Sequence, residues 1–315
     1  MRFTNLLVAK FVAATSLVPL VLAAPASPIT CAKCEDVAPG FASLNGGTKG
    51  GKGGEIVTPY IIRVSGKLTA EPKGYEIPVK SNKFIIGVGK TGAVVGGGFG
   101  ITNTSNIILR NLEISDAYIP EDYNGKLEDW DGIQVEGGKN IWIDHVKFAR
   151  MADGLIDLRK DTDYVTVSFC LLSEHNKAFG IGWTQNVISK VTINDNFFNS
   201  TNQRGPSADN LKYCHMFNNY FLNVTSYGNY ARGHTALLVE NSYFENVHDP
   251  VVASPKATIR SNWLKFKDCT GERHLDVKGD NVFKASDFYP YALKDPYDLP
   301  TTNPPFAGPV KDIWI

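Results

Sequence analysis

The chain contains VTVSFCLL at 165–172, VTINDNFF at 191–198 and HMFNNYF at 215–221, three segments that share one pattern. Each is rich in β-branched and aromatic residues and ends on a bulky apolar side chain, usually three positions after a small polar residue or His. Four more segments follow the pattern, so the end residues are Ile114, Phe148, Leu172, Phe198, Phe221, Phe244 and Leu264. One such repeat is a strand with turns and cannot bury its own apolar face, which predicts an all-β parallel solenoid of stacked coils.

Asparagine recurs at the bends between these strands, at positions 111, 196, 218, 219, 241 and 262. Asn tolerates left-handed turn geometry, and its amide can pair with copies in the coils above and below. The competing all-β fold is a sandwich of antiparallel hairpins. Its turn signals, Asn124-Gly125, Asp131-Gly132 and Asp153-Gly154, do not alternate regularly with strands.

The organisation that follows is a single domain, although 315 residues would suggest about two at roughly 150 residues each. The Gly-rich stretch 46–54 and the tail 287–315, with six prolines, look like irregular covering segments at the two ends. No linker separates two domains. We therefore expect one solenoid domain over 25–315, behind a signal peptide over 1–24.

The N-terminus carries the signals of secretion. Arg2 precedes an uncharged apolar run at 11–24 and the small residues that follow it, as in a signal peptide. The alternative is a membrane anchor, but Lys10 and Pro19 limit the stretch to fewer than the roughly 20 apolar residues of a span. With 32 Lys and Arg against 32 Asp and Glu, a basic nucleic-acid surface is not supported. We expect a secreted, extracellular protein without a nucleic-acid or membrane partner.

Five cysteines would remain after cleavage, an odd number that leaves at least one thiol unpaired within the chain. Cys31 or Cys34 is expected to form a disulfide that ties down the N-terminal segment, with the connectivity left open among these two, Cys170, Cys214 and Cys269. Cys170 and Cys214 lie in apolar strand-like runs, where buried thiols are ordinary. Glycosylation acceptor patterns at Asn103, Asn199 and Asn223 agree with secretion.

Several familiar motifs fail on inspection. The stretch 46–54 resembles a phosphate loop, but Gly53 stands where Ser or Thr is required. The Asp-rich stretches near 129 and 161 lack the later ligands of a calcium-binding EF-hand loop. No G-x-S-x-G is present, so a serine-hydrolase elbow is absent.

Four carboxylates fall on adjacent predicted coils: Asp129 and Asp131, then Asp153 and Asp157 about one coil later. Alternation along the second strand places Asp153, Leu155 and Asp157 on an outward face, with Ile156 and Leu158 inward. For Asp131 to project the same way, a bend near Gly132 is required. Such an oxygen cage suits Ca²⁺, which accepts several carboxylates with loose geometry.

The chain also resembles the extracellular, fungal-type pectate lyases of polysaccharide lyase family 1, from about residue 40 to 281. The matching stretches, in order, are GFASLNGGTKGGKGG, VVGGGFGITNTSNIILRNLEI, DWDGIQVEGGKNIWIDH, HNKAFGIG and NQRGPSADN. The resemblance implies a right-handed single-stranded parallel β-helix. It also implies a monomer that cleaves polygalacturonate, a pectin of plant cell walls, by calcium-dependent β-elimination.

Residue roles follow from the same resemblance. It implies that Asp131, Asp153 and Asp157 bind calcium with Asp129 adjoining, that Arg204 is catalytic, and that Lys177 and Arg232 contact substrate. In this family the arginine removes a proton from the substrate, but a guanidinium ordinarily stays protonated. We therefore expect an alkaline activity optimum. Asp209 stands where many members have a second arginine in R-x-P-x-x-R, which removes one contact to a substrate carboxylate.

Other side chains and other functions stay open at this point. His145 is interpreted as a structural turn residue, and Trp130, Trp142 and Trp183 either pack or stack on sugar rings. The rival functions are a pectin lyase acting on methyl-esterified pectin, a galacturonan hydrolase with paired acids, and a non-catalytic β-helix binding protein. The carboxylate cage and Arg204 argue against the first and the last.

Overall fold

The computed structural model describes residues 36–51 and 60–313, and these form a parallel β-helix whose coils each contribute strands to three faces. The strands are numbered in chain order. The first face contains β1 (Tyr60–Val64), β4 (Lys83–Gly87), β7 (Ser105–Arg110), β10 (Lys139–Asp144), β13 (Asp163–Ser168), β15 (Lys190–Asn194), β18 (Tyr213–Phe217), β21 (Ala236–Glu240) and β24 (Thr258–Asn262). The antiparallel β26 (Asp276–Val277) ends this face.

The other two faces follow the same order along the chain. The second contains β2 (Lys67–Thr69), β5 (Ala93–Val95), β8 (Glu113–Ser115), β11 (Lys147–Ala149), β16 (Phe197–Gln203), β19 (Tyr220–Val224), β22 (Tyr243–Val247) and β25 (Lys265–Lys267). The third contains β3 (Glu76–Pro78), β6 (Gly98–Thr102), β9 (Ile133–Glu136), β12 (Gly154–Arg159), β17 (Ser207–Asp209), β20 (Asn229–Arg232) and β23 (Val251–Ala253). The long strand β14 (Leu171–Gly182) belongs to both, pairing with β11 and β16 at its start and with β12 and β17 at its end.

Helical structure in the described residues is short. It comprises the 3₁₀ turns Gly40–Ser43, Gly279–Asn281, Ala285–Asp287 and Pro296–Asp298 and the α-helix Leu299–Thr302. None of the described helices has the length and apolar character needed to cross a bilayer. The predicted parallel β-solenoid is confirmed.

The repeat found in the sequence is a single stack of side chains inside the solenoid. Ile114, Phe148, Leu172, Phe198, Phe221 and Phe244 are paired in register from coil to coil, and all are fully buried. Neighbouring rings in the stack are nearly parallel, with centroids 4.5 Å apart for Phe198–Phe221 and 4.6 Å apart for Phe221–Phe244. This column buries the apolar face that no single coil could bury alone.

The last member of the predicted stack was wrong, because Phe266 and not Leu264 pairs with Phe244. In every coil of the stack the residue three positions earlier has a positive φ: Asn111, His145, Phe169, Asp195, Asn218, Asn241 and Trp263. The prediction took the bend of the final coil from Asn262, but Trp263 adopts the left-handed conformation with φ 46°. Bulky residues rarely adopt this conformation, so the sequence at Trp263 does not indicate a bend as an asparagine would.

The expected pairing of asparagine amides between coils is present at the corner between the first and second faces. Asn196 donates through Nδ2 to Asn219 Oδ1 at 3.1 Å, and its backbone N–H donates to the same oxygen at 3.0 Å. Asn219 donates onward to the carbonyl of Ile193 at 2.8 Å. We call Asn196, Asn219 and Ser242, whose Oγ accepts from the Asn219 N–H, the asparagine ladder.

Irregular segments cover the solenoid, but those described here lie along its sides. The turn Gly40–Ser43 docks on the first face, where the Phe41 N–H donates to Thr192 Oγ1 at 2.9 Å. The C-terminal tail runs back along the asparagine corner, where Asn303 donates to the carbonyl of Asn218 at 2.7 Å. Farther along, Asn111 donates to the carbonyl of Ile313 at 2.8 Å. The tail therefore follows many coils instead of closing one end.

The cysteine predictions can be followed only in part. Cys170 and Cys214 are fully buried free thiols, as expected of their apolar strands, and Cys269 is a half-buried free thiol. Cys31 and Cys34, like the predicted signal peptide, lie outside the described residues.

Candidate active site

The four acids of the predicted cage come together on the third face, at β12 and at the bend that precedes β9. The bend expected near Gly132 is present, and the Asp131 side chain thereby leaves the alternation that puts Ile133 and Val135 in the core. Leu155 was expected outward beside Asp157, but it is fully buried in the core. The chain bends at 152–153, so regular alternation begins only after Leu155.

Three of these acids converge closely. Carboxylate oxygens of Asp129, Asp131 and Asp153 all lie within 4.8 Å of one another. Asp131 is fully buried, and its Oδ1 accepts from the Gly154 N–H at 2.6 Å. Asp157 lies beside this trio, is fully buried too, and has an Oδ1 without a hydrogen-bond partner in the described structure.

Two glycines leave the space that the carboxylates occupy. A Cβ on Gly154 would lie 2.9 Å from Oδ1 of both Asp131 and Asp157, and a Cβ on Gly180 would lie 2.6 Å from Asp157 Oδ1. Gly180 is the register partner of Asp157 in the next coil. Any larger residue in either place would therefore push into the acids. We call Asp129, Asp131, Asp153 and Asp157 the carboxylate cluster.

Arg159, which the sequence search did not single out, joins the four acids. Its Nη2 lies 2.5 Å from Asp129 Oδ1, 3.0 Å from Asp131 Oδ2 and 2.9 Å from Asp157 Oδ2. The same nitrogen is 4.0 Å from Asp153 Oδ2. The sequence contains a pattern that indicates this contact, since Arg159 follows Asp157 by two positions on one strand and alternation places both on the same side.

Burial and charge act in opposite directions on these acids. Burial, followed by the neighbouring charge of Asp157, raises the pKa of Asp131 well above its usual range. Burial also raises the pKa of Asp157 to about 6, although Arg159 and Arg204 work against it. The more exposed Asp129 has a lowered pKa because Arg159 hydrogen-bonds to it. The two buried acids thus resist ionisation, and the nearby arginines oppose this effect only in part.

Two further polar residues of the site were missed by the sequence search. Gln134 donates to Asp129 Oδ2 at 3.2 Å and to Asp131 Oδ2 at 3.1 Å. Glu76 accepts from the Asp131 N–H at 3.3 Å, and burial raises its pKa to about 7. Glu76 lies on β3, far from the acids in sequence, so only the stacking of coils brings it to them.

Lys177 is buried at the edge of the cluster. Its Nζ forms an ion pair with Asp153 and donates to the carbonyl of Gly125 at 2.8 Å. It lies in register with Gly154 on the neighbouring strand. Nearby, His175 contacts the carbonyl of Asp153 at 2.6 Å through Nε2, and burial lowers the pKa of this histidine. The ammonium is therefore fixed beside the carboxylates.

Arg204 lies on the other side of Asp157, at the bend between β16 and β17. Its backbone has φ 63°, and hydrogen bonds from the Phe179 N–H to its carbonyl and from the Gly205 N–H to the Gly228 carbonyl hold this bend, both at 2.7 Å. Its Nη1 is 3.9 Å from Asp157 Oδ1 and has no hydrogen-bond partner among the described residues. This guanidinium nitrogen thus lies next to the carboxylates without forming a hydrogen bond to them.

The three tryptophans differ in their surroundings. The ring of Trp183 is half exposed, and its centroid lies 5.3 Å from Cζ of Arg159 and 5.7 Å from Cζ of Arg204, within cation–π range. Trp142 is buried and donates to Ser168 Oγ at 2.9 Å, so it packs. Trp130 lies against Gly74, where a Cβ would meet its ring at 2.2 Å.

Arg232 and Asp209 are direct neighbours across two coils, since β17 and β20 pair them in register. The Arg232 guanidinium lies over the Tyr230 ring, 4.8 Å from its centroid, and its Nη1 is 3.5 Å from Ser207 Oγ. A basic residue is therefore present one coil from the position where the family motif often has its second arginine.

His145 lies away from the cluster. It has φ 50° at a bend of the first face, its Nδ1 is 2.7 Å from Asp144 Oδ2, and its ring stacks on Phe169. These contacts agree with its interpretation as a structural turn residue.

The carboxylate cluster has the donor chemistry of a calcium site. Calcium takes oxygen ligands at about 2.3–2.6 Å, so oxygens around one ion lie no more than about 5 Å apart. The three oxygens of Asp129, Asp131 and Asp153 meet this condition at 4.8 Å. Asp157 Oδ1 is a further buried oxygen that has no hydrogen-bond partner among the described residues.

Comparison with known proteins gives one consistent result. A family profile described as pectate lyase matches residues 70–295. A pectate trisaccharide-lyase of Thermotoga maritima is 36% identical over an alignment of 217 positions, which covers 60% of this chain and 58% of that protein, so less than two thirds of its length is matched. A probable pectate lyase A of Neosartorya fischeri is 33% identical over an alignment of 308 positions, which covers 86% of this chain and 90% of that protein. The crystal structure of a pectate lyase from Bacillus sp. N165 in complex with trigalacturonate superposes with a TM-score of 0.72 at 27% identity, covering 87% of this chain and 99% of that one.

Proposed function

Because the chain belongs to the pectate lyase family, we propose that it cleaves α-1,4-linked polygalacturonate by calcium-dependent β-elimination. One observation carries the proposal: the unpartnered Arg204 Nη1 lies 3.9 Å from a buried carboxylate oxygen of a four-acid cluster. A polyanionic substrate needs cations, and the described third face supplies them at this place. The trigalacturonate bound by the Bacillus sp. N165 relative is the same class of ligand.

Asp131, Asp153 and Asp157 are the proposed calcium ligands, with Asp129 adjoining. When bound, calcium neutralises the uronate carboxylate, so that the neighbouring C5 proton becomes more acidic. The protein's part is to keep several carboxylates close together in spite of their repulsion. Hydrogen bonds from the Gly154 N–H to Asp131 and from Gln134 to Asp129 and Asp131 hold them in place.

Arg204 is the proposed base. In its neutral form it takes the proton from C5, the electron pair of that C–H bond becomes the C4=C5 double bond, and the C4–O bond to the preceding sugar breaks with its electron pair on the oxygen. The departing oxygen takes a proton from water, and the product carries a 4,5-unsaturated galacturonosyl group at its non-reducing end. A guanidine base requires a nitrogen free of other bonds, and the Nη1 of Arg204 meets that requirement within the described structure.

Lys177 and Arg232 are the proposed substrate contacts. Lys177 is held beside Asp153 and can stabilise the charge that develops on the uronate carboxylate. Arg232 projects from the register partner of Asp209 and supplies positive charge near the place where the second motif arginine is missing. We further propose that the enzyme is a secreted monomer whose single solenoid domain spans 25–315.

Product analysis tests this function. Purified enzyme is incubated with polygalacturonate and with highly methylated pectin, each with calcium or with a chelator, and unsaturated product is followed by ultraviolet absorbance. We expect unsaturated product from polygalacturonate with calcium only. Activity that survives chelation and prefers methylated pectin would instead identify a pectin lyase, and saturated product would identify a hydrolase.

A further inference from the structure

The guanidinium of Arg159 occupies the centre of the carboxylate cluster. Its side chain is 14% exposed, and its Nη2 lies between 2.5 and 3.0 Å from oxygens of Asp129, Asp131 and Asp157. We propose that Arg159 is a displaceable internal cation, which holds the cluster together when calcium is absent and competes with calcium for the same oxygens. This inference rests on the proposed calcium role of the cluster.

Mutual exclusion follows from distance. An ion bound by these carboxylates would lie about 2.3–2.6 Å from their oxygens. The Arg159 Nη2 is already 2.5 Å from Asp129 Oδ1 and 2.9 Å from Asp157 Oδ2. Calcium and the guanidinium cannot both contact these oxygens, so Arg159 must leave them before calcium takes them.

The cluster needs a cation in either state. Asp131 and Asp157 are fully buried, and uncompensated buried charges are strongly destabilising. Lys177 contacts Asp153, and Arg204 stays 3.9 Å from Asp157. Arg159 is the described side chain that hydrogen-bonds to Asp129, Asp131 and Asp157 together. It therefore does in the metal-free protein what calcium would do in the loaded one.

Arg159 also has a contact outside the carboxylates. The half-exposed Trp183 ring lies 5.3 Å from its Cζ. A guanidinium on an indole face keeps a favourable contact after it leaves the carboxylates. Displacement then exchanges one set of contacts for another, and the calcium affinity of the enzyme is lowered by the cost of that exchange.

Calcium titration of chelator-treated protein tests the competition, with isothermal calorimetry as the readout. The proteins are the wild type, Arg159→Gln and, as a matched loss of one positive charge, Lys160→Gln. Lys160 is mostly exposed and pairs with Glu136 outside the cluster. We expect Arg159→Gln to bind calcium at least about tenfold more tightly than the wild type, and Lys160→Gln to bind as the wild type does.

Thermal unfolding gives an independent readout. Without calcium, Arg159→Gln should unfold at least about 2 °C below the wild type, and saturating calcium should remove that difference. If Arg159→Gln does not fold without calcium, Arg159→Lys takes its place. A single ammonium bridges fewer oxygens than a guanidinium, so Arg159→Lys should bind calcium more tightly than the wild type.

The outcomes separate this inference from the proposed function. Equal or weaker calcium binding by Arg159→Gln, with a wild type that binds, would overturn the competition and leave the calcium-dependent function standing. If Arg159→Gln bound calcium and the wild type did not, Arg159 would not be displaceable, because it would occupy the site permanently in the wild type. Binding by none of the proteins would refute the calcium role and this inference with it.

Discussion

The asparagine ladder and the carboxylate cluster are both sets of polar side chains brought together by stacked coils. In the ladder each amide has a donor and an acceptor, so Asn196 donates to Asn219 and Asn219 donates to the Ile193 carbonyl, within the protein. In the cluster every member is an acceptor when ionised, and Asp157 Oδ1 has no hydrogen-bond partner among the described residues.

This difference separates a structural site from a chemical one on the same scaffold. A ladder whose members satisfy each other needs nothing further and stabilises the stack. A set of buried like charges is stable only with cations, which here come from Arg159, Lys177 and the neighbouring Arg204. Under the proposed function, calcium would compensate the remaining negative charge of the cluster.

The largest expected effect is on the chemical side. Arg204→Ala should lower kcat on polygalacturonate by about 10²–10⁴-fold, because it removes the proposed base. The solenoid should stay folded with a thermal midpoint lowered by only about 2–4 °C, since Arg204 lies 3.9 Å from Asp157 and its Nη1 makes no hydrogen bond in the described protein. Arg260→Ala, on the first face, serves as the control that keeps activity. A variant that retains more than a tenth of the wild-type kcat would move the base elsewhere.

Sequence predicts the repetitive part of this molecule best. The stack from Ile114 to Phe244 was found because each coil must place one large apolar residue at the same point. The prediction was wrong at the last coil, where Trp263 takes the left-handed bend that small polar residues usually take. The family resemblance inferred from the motifs is confirmed by the comparisons.

The site is only partly predictable for a physical reason. The four acids were found because they fall on adjacent predicted coils, but their calcium role and the roles of Arg204, Lys177 and Arg232 stay predictions. The spacing of Arg159 to Asp157 on one strand is visible in the sequence, but its contacts with Asp129 and Asp131 depend on the stacking of coils. Glu76 approaches Asp131 across 55 residues of sequence. No local pattern records a contact of that kind.

The second prediction turns the ladder into a charged site. Asn219→Asp should lower the free energy of unfolding by about 3–5 kcal/mol, as measured by urea denaturation at pH 7. The new oxygen would face the Ile193 carbonyl in place of the Nδ2 donor, and no cation compensates it within the described corner. Asn223→Asp, at a more exposed site, is the matched control. An unchanged stability would mean that the ladder tolerates charge as the cluster does.

The third prediction is the reverse exchange in the cluster. Asp157→Asn should raise the free energy of unfolding in chelator by about 1 kcal/mol, because it removes a fully buried charge that has one unpartnered oxygen. Added calcium should then stabilise this variant less than the wild type, as shown by thermal midpoints with and without calcium. If Asp157→Asn were less stable than the wild type in chelator, Arg159 would already compensate the charge in full.

The smallest expected effect is a change in pH dependence. Burial raises the pKa of Glu76 to about 7 from 4.5, so the folded state holds this proton more tightly than the unfolded state. The resulting stability is present below pH 4.5 and is lost as the pH rises through about 7. In chelator, Glu76→Gln should therefore lose less stability than the wild type between these pH values, measured by urea unfolding. Glu121→Gln, at an exposed position, should show the same pH dependence as the wild type. If the pH profile of Glu76→Gln runs parallel to that of the wild type, Glu76 is already ionised at acidic pH in the folded protein.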